Sequence, residues 1–254
     1  MSTKLLFIFE GKKTEPQIFE NLKYKLLPNI TEFELYACYG THIYSLYNRL
    51  EKDENLDIVE LLRENNKDVL NGISRFDIAL IYLFFDYDPQ ACNKCDEIIP
   101  LMLEKFNNET ENGKLFISYP MIEALKDSAS ENFLSNKNRT IMFVNSIEYK
   151  NIVHNKIEPT LRNINEYTSI IWQRIIKQNL QQAYWILYDK DTFPDINIAK
   201  QMSQLDIYNA EYTKYITKQK RIAVLSAFPF FIIDYFPKEF IQEYILNDFV
   251  EIKN

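Results

Sequence analysis

Glycine is nearly missing: there are four in 254 residues, against a usual share of about 7%. That leaves little room for a glycine-rich phosphate loop or a flexible glycine linker between domains. Cysteine is scarce and odd in number. With three cysteines, Cys38, Cys92 and Cys95, and an apolar run at 5–9 too short for a signal-peptide core, a reducing cytoplasm is the expected compartment. Long apolar runs are also lacking. The longest, at 78–85 and 223–233, the second broken by Pro229, fall short of the ~20 residues a membrane helix needs, so no membrane span is expected. Nor is there a basic excess. The net charge of −7 would ordinarily argue against a nucleic-acid partner. Its distribution weakens that objection, because residues 1–127 carry 14 basic and 22 acidic side chains, and residues 128–254 carry 15 and 14. Carboxylates gathered around metal ions stop repelling phosphate once the ions are bound, since the ion is then the largest local charge.

What is present is a core. Hydrophobic residues make up 46% of the chain, enough for one large domain or a compact domain with an addition. Residues 5–9 (LLFIF) suit a strand buried on both faces, ended by Glu10. Thr14, Glu15 and Pro16 form a helix start, and Ile18, Phe19, Leu22 and Leu26 recur at helical spacing. Phe33, Leu35 and Ala37 alternate with Glu34 and Tyr36 as a second strand, and Ile43, Leu46, Tyr47 and Leu50 mark another helix. Further helical pattern around Val59, Leu61 and Leu62 leads to the eight-residue run at 78–85, the expected central strand, closed by Asp86 and Asp88. A helix over about 93–106 and a fourth strand at 115–118, ended by Pro120, complete β-α-β-α-β-α-β. The expected fold is therefore α/β, a doubly wound, mainly parallel sheet of about four strands over residues 1–127. Residues 128–254 read as mainly helical, with Ile170, Ile171, Ile175, Ile176 and Leu180 in one stripe and Tyr212, Tyr215, Ile216 and Gln219 in another. No linker separates the halves, so the second is expected to pack on the first.

The chemistry-bearing residues are acids. Glu10 and the Asp86/Asp88 pair each follow a buried strand, so the topology brings all three to the carboxyl edge of the sheet, where such folds bind ligands. Pro89 suits a turn that lets both aspartates approach one ion. Hard oxygen donors in this number suit Mg²⁺ or Mn²⁺, which keep several waters and accept phosphate oxygens. Glu10 would act as a ligand or as a general acid/base. An Asp-x-Asp after a strand is by itself unspecific, since phosphatases and sugar-nucleotide transferases also use it.

The segment FEGKKTEPQIF at 9–19 resembles the EGxKTEPxxF opening of RloB-like Toprim proteins. Phe85-Asp86-Tyr87-Asp88 is similar to the Toprim Asp-x-Asp, and Ser118-Tyr119-Pro120-Met121-Ile122-Glu123 to the Ser-x-Pro-x-x-Glu that follows the fourth strand in that family. The resemblance implies a Toprim fold and Mg²⁺-dependent phosphodiester cleavage of DNA or RNA, tRNA included. It also implies a role in bacterial antiphage defence, sometimes beside an ABC-type ATPase as in OLD-family and PARIS-type systems. Carried over residue by residue, Glu10 is the Toprim glutamate, Asp86 and Asp88 bind metal, and Glu15 and Glu123 complete a second metal site. One departure stands out. Glu15 follows Glu10 by five residues, where OLD-type nucleases have four. The alternative for both Glu15 and Glu123 is an ordinary acid at a helix start, favourable to the macrodipole.

Lys12 and Lys13 lie in the loop beside Glu10, where an ammonium pairs with a substrate phosphate or with neighbouring carboxylates. Lys13 is also a catalytic candidate there. Lys126, one helical step from Glu123, either reaches the same cleft or is solvated. Cys92 and Cys95 have redox or half-zinc spacing with no partner at matching spacing, and read as inert. Lys214, Lys218 and Arg221 with Tyr212 and Tyr215 form either a nucleic-acid backbone grip or a solvated face over buried tyrosines. Residues 223–235 read as core, with a partner-docking or homodimer surface as the alternative. Two rival functions share the same acids: hydrolysis of small phosphate esters, and a non-catalytic Toprim module that binds an ATPase or nucleic acid.

Overall fold

The computed structural model describes residues 4–26, 34–53, 56–91, 94–135 and 138–246. The first half builds one sheet. Strand β1 (Lys4–Phe9) leads through helix α1 (Thr14–Leu26) to β2 (Glu34–Cys38). Helices α2 (Ile43–Lys52), α3 (Ile58–Arg63) and α4 (Lys67–Leu70) then carry the chain over to β3 (Ile78–Asp86). Helix α5 (Cys95–Lys105), the two-residue β4 (Asn107–Asn108) and β5 (Gly113–Ser118) complete the unit. Strand order is β2-β1-β3-β5-β4. The β1–β2, β1–β3 and β3–β5 pairs are parallel and β4–β5 is antiparallel, so the sheet has five strands where about four were expected. The order of the parallel strands reverses between β1 and β3. At such a reversal the flanking crossovers leave on opposite faces and open a crevice at the carboxyl edge.

Register sorts the side chains. Phe7 lies beside Tyr82, Phe9 beside Phe84, and Phe84 beside Phe116. With a period of two, these aromatics share one face while Ile8, Leu83 and Leu115 share the other. Helix α1 covers the aromatic face with Phe19, whose ring centroid is 4.2 Å from that of Phe7. The rest of that cover comes from the far end of the chain.

The second half begins with α6 (Ala124–Asp127), β6 (Thr140–Met142) and α7 (Tyr149–Lys156). It continues through the 20-residue α8 (Ser169–Tyr188), α9 (Ile196–Gln201) and α10 (Gln204–Glu211). A π-helical turn (Tyr212–Ile216), α11 (Thr217–Gln219), β7 (Arg221–Ala223) and α12 (Phe228–Tyr235) follow. Helix α12 lays Phe228 and Phe231 on the sheet: Phe228 stacks on Phe84 at 4.8 Å, and Phe231 meets Phe7 edge-on at 5.5 Å and Tyr82 at 4.9 Å. Helix α8 is tied to α1 by a Trp172 Nε1–H bond to Asn21 Oδ1 of 2.8 Å. Of its sequence-predicted stripe, Ile175, Ile176 and Leu180 are fully buried. The adjoining flank, on the Ile175 side, is also buried and polar. Gln178 donates to the Ser128 and Ser130 carbonyls, Gln182 donates to the Arg139 carbonyl, and Asn179 accepts from the Ser226 N–H. These amides satisfy irregular backbone that would otherwise be buried without partners. A strand pair was not expected in this half, yet β6 and β7 pair antiparallel and Tyr119 bridges Leu225 just beyond β5. Among the described residues no helix is long and apolar enough to cross a membrane.

Candidate functional site

The carboxyl ends of β1, β2 and β3 meet at Glu10. Its N–H donates to the Phe84 carbonyl at 3.2 Å, and its carbonyl accepts from the Gly40 N–H at 3.0 Å and from Cys38 Sγ at 3.3 Å. The side chain turns the same way: Oε2 accepts the Asp86 N–H at 3.1 Å. Glu10 and Asp86, 76 residues apart in the chain, thus stand side by side across the strand reversal. Glu15, buried in the first turn of α1, closes the loop between them, its Oε1 accepting the Gly11 N–H at 2.8 Å. A side chain at position 11 would push the Glu15 carboxylate aside. A Cβ there would lie 2.8 Å from Glu15 Oε2.

The Asp86-Tyr87-Asp88 turn is clamped from the β5 side. Tyr87 N–H donates to the Ser118 carbonyl at 2.9 Å and Asp88 N–H to the Pro120 carbonyl at 3.1 Å. The Tyr44 hydroxyl of α2 donates to the Tyr87 carbonyl. Tyr87 itself is buried, with Tyr119 5.5 Å and Tyr208 6.2 Å away between ring centroids. Asp88 has φ 33, a left-handed conformation that aspartate tolerates better than most residues. The strand therefore stops at Asp86, and Asp88 leaves on a sharp turn.

Crowding of acids shows in their protonation. Burial, and then the charges of Glu15 and Asp88, push Glu10 up to about 7 against a bond from the Asp86 N–H that acts to lower it. Asp86 is raised well above the usual carboxylate range, first by burial and then by Glu10 and Glu15, with Glu123 adding to it and a bond from the Ile122 backbone opposing. Asp88 is raised by burial, partly offset by the charge of His42. Five carboxylates, Glu10, Glu15, Asp86, Asp88 and Glu123, therefore feel one another. Among the described residues, however, no three His, Cys, Asp or Glu side chains form a group that would by itself hold a metal ion. Glu10 and Glu15 are turned onto backbone N–H groups instead.

The cations divide. Lys12 and Lys13 are exposed at the mouth of the loop, and Lys12 is near enough to act on the Cys38 thiol. Lys126 Nζ donates to the Arg162 carbonyl at 3.0 Å and lies near enough to Glu123 for that carboxylate to act on it. Two residues with no site role in the sequence analysis take places here. His42 caps α2, its Nδ1 accepting the Ser45 N–H at 3.2 Å, and stands close enough to Asp88 to lower its pKa. Lys150, exposed on α7, lies 3.7 Å from Glu123. His42 was findable in sequence, since it follows β2 at the same sheet edge as the acids. Lys150 was not, because nothing in its spacing places α7 beside β5.

The remaining candidates lie elsewhere. Cys92 falls outside the described residues, and Cys95 is buried with its Sγ 3.6 Å from the Pro89 carbonyl. Lys214 caps the end of α8, donating to the Ile186 and Leu187 carbonyls and to Asp189 Oδ2 at 2.8 Å. Arg221 is fixed on Thr140, and Tyr212 donates to Asp96. Lys218 is exposed. The basic-aromatic segment is thus mostly occupied by internal contacts. Compared with protein-family profiles, curated proteins and solved structures, the chain matches none.

Proposed function

We propose that the chain is a divalent-metal-dependent nuclease of the Toprim kind, hydrolysing phosphodiester bonds of DNA or RNA at this acidic edge. One observation carries the reading: Glu10 and Asp86 flank the β1/β3 reversal in direct hydrogen bond, with Asp88 on the turn beyond. A cluster of buried carboxylates that raises its own pKa values is short of positive charge. The donor set, all hard oxygens, fits Mg²⁺ or Mn²⁺. Mg²⁺ keeps several waters and is commonly held by one or two carboxylates together with substrate phosphate, so a closed protein cage is not required. Glu10, Asp86 and Asp88 would hold the first ion, with Glu15 and Glu123 beside a second. A bound ion supplies positive charge against the phosphate and the attacking water.

The chain's own residues supply the rest. Lys12 and Lys13, exposed at the rim, offer ammonium groups to the flanking phosphates. The turn at 86–88 is held from β5 and α2, so its carboxylates are positioned before substrate arrives. Hydrolysis adds water to phosphorus, breaks one P–O bond and returns a proton to the leaving oxygen. Glu10 would serve either as a ligand of the ion or as the general acid/base for that transfer.

Purified protein with Mn²⁺ or Mg²⁺, incubated with plasmid DNA and total bacterial RNA including tRNA, is expected to cleave one of the two. Asp86→Ala and Glu10→Ala should lose that cleavage while keeping the fold. Full activity in either variant would sink the assignment.

A further inference from the structure

A cavity of about 570 Å³ opens between the end of α8, the π-helical turn after α10 and the β6–β7 pair. None of its lining residues belongs to the acidic edge. Its volume lies within the usual ~300–1,000 Å³ of small-molecule sites. Arg139 sets its character. The side chain is 2% exposed, and its Nη2 pairs with Asp191, which is 60% exposed. The buried Nε has no partner. A buried guanidinium with an unfilled donor is costly unless an acceptor arrives.

The surroundings match that need. The Arg139 guanidinium lies 5.0 Å from the Trp185 ring, and the Tyr215 ring centroid is 5.1 Å from that of Trp185. Arg221 lines the same cavity, held by bonds of 2.6 and 2.9 Å to Thr140 and by its Nη1 on Met142 Sδ at 3.1 Å. Asp189 is the lining carboxylate, and Lys214 pairs with it at 2.8 Å. Among the lining residues the cations Arg139 and Arg221 face one carboxylate, Asp189.

We propose that this cavity binds a phosphate monoester joined through a sugar to a flat ring, the chemistry of a mononucleotide or of a phosphorylated strand end. Arg139 takes the phosphate through its unpartnered Nε, and Arg221 adds its charge and the N–H groups left over on Nη1 and Nη2. Trp185 and Tyr215 take the ring. The assignment is independent of the chemistry at Glu10 and Asp86, and its test contains no divalent metal.

The full chain is titrated with AMP, with adenosine, and with a short oligonucleotide with and without a 5′-phosphate, following tryptophan fluorescence. Trp172 is fully buried against α1, so a response reports Trp185. A saturable change is expected with AMP or the 5′-phosphorylated strand, and none with adenosine or the unphosphorylated strand. Which phosphate ester binds more tightly identifies the source. Arg221→Ala should weaken binding by about tenfold or more, the worth of one charge-assisted bond. Arg139→Lys, which keeps the charge but loses the Nε donor, should weaken it as well. Circular dichroism confirms that each variant is folded. No saturable response to either phosphate ester, equal affinity for AMP and adenosine, or unchanged affinity in folded Arg221→Ala would overturn the proposal.

Discussion

The crowded carboxylates should make the metal-free protein less stable as pH rises, and Glu10 allows the effect to be sized. Its pKa stands at about 7 in the fold against an ordinary 4.5. A folded-state pKa above the unfolded value means the fold holds a proton that the unfolded chain has already released. Stability is then highest below the unfolded value and falls as pH climbs through the window between the two. At ~1.4 kcal/mol for each pH unit of difference, the full effect is about 3 kcal/mol. Glu10 is partly open to solvent, so about 2 kcal/mol between about pH 5 and about pH 8 is the expectation after screening. Asp86 and Asp88 are raised too, and act in the same direction. The assay is urea unfolding in chelator at both pH values, for the wild type and Glu10→Gln. The wild type should lose stability on going to the higher pH. The variant should lose much less, because it removes both the Glu10 proton and the charge that raises Asp86. Added Mg²⁺ should restore stability at the higher pH more than at the lower. Equal pH dependence in the two proteins would refute the assignment of the strain to this cluster.

The other expectations are structural and positional. Phe231→Ala empties the centre of the aromatic face between Phe7, Tyr82 and Phe84 and should cost about 3–5 kcal/mol in chemical denaturation; a cost under about 1 kcal/mol would mean α12 is not core. Gly11→Ala sets a Cβ against the Glu15 carboxylate and turns it off the Gly11 N–H; the expected loss is about 1 kcal/mol of stability together with metal-dependent cleavage, and Gly11→Ala/Glu15→Ala should lose little further stability. Tyr44→Phe removes the donor to the Tyr87 carbonyl between the two aspartates, which should cost about 1 kcal/mol and lower kcat with little change in KM; unaltered kinetics would show that the turn holds its shape without α2.

The strands that build the acidic edge were legible because burial on both faces leaves a plain signal. LLFIF at 5–9 and IALIYLFF at 78–85 end at their first acid, and those acids are Glu10 and Asp86. Strand order is not written in such runs, so the adjacency of β1 and β3 and the hydrogen bond across it had to come from the fold. The three-residue strands β6 and β7 are too short for alternation to rise above chance. Gln178, Asn179 and Gln182 are buried in α8 because they satisfy backbone at 128–139 and 226, which hydrophobic periodicity does not register. The basic segment at 214–221 misled for a related reason. Lys214 and Arg221 are long enough to reach inward and complete a helix end and a strand edge, and their charge in sequence does not say which way they turn.

The placement of α12 explains how the molecule tolerates its acidic edge. Five carboxylates with raised or mutually acting charges destabilise the carboxyl end of the sheet, and three of them sit on loops rather than within strands. The opposing stabilisation is the aromatic face directly behind them. Phe9, immediately before Glu10, and Phe84, in register with it and two residues before Asp86, are fully or almost fully buried, and Phe228 stacks on Phe84 from residues far along the chain. Burying each such ring contributes about 1.5–3 kcal/mol, comparable to the electrostatic strain at Glu10. The second half is therefore part of what holds the acids in place: Glu10 stays beside Asp86 because α12 and α1 clamp the strands that carry them. A chain cut after residue 127 would expose Phe7, Tyr82, Phe84 and Phe116 together, and should neither fold to the same sheet nor hold the cluster.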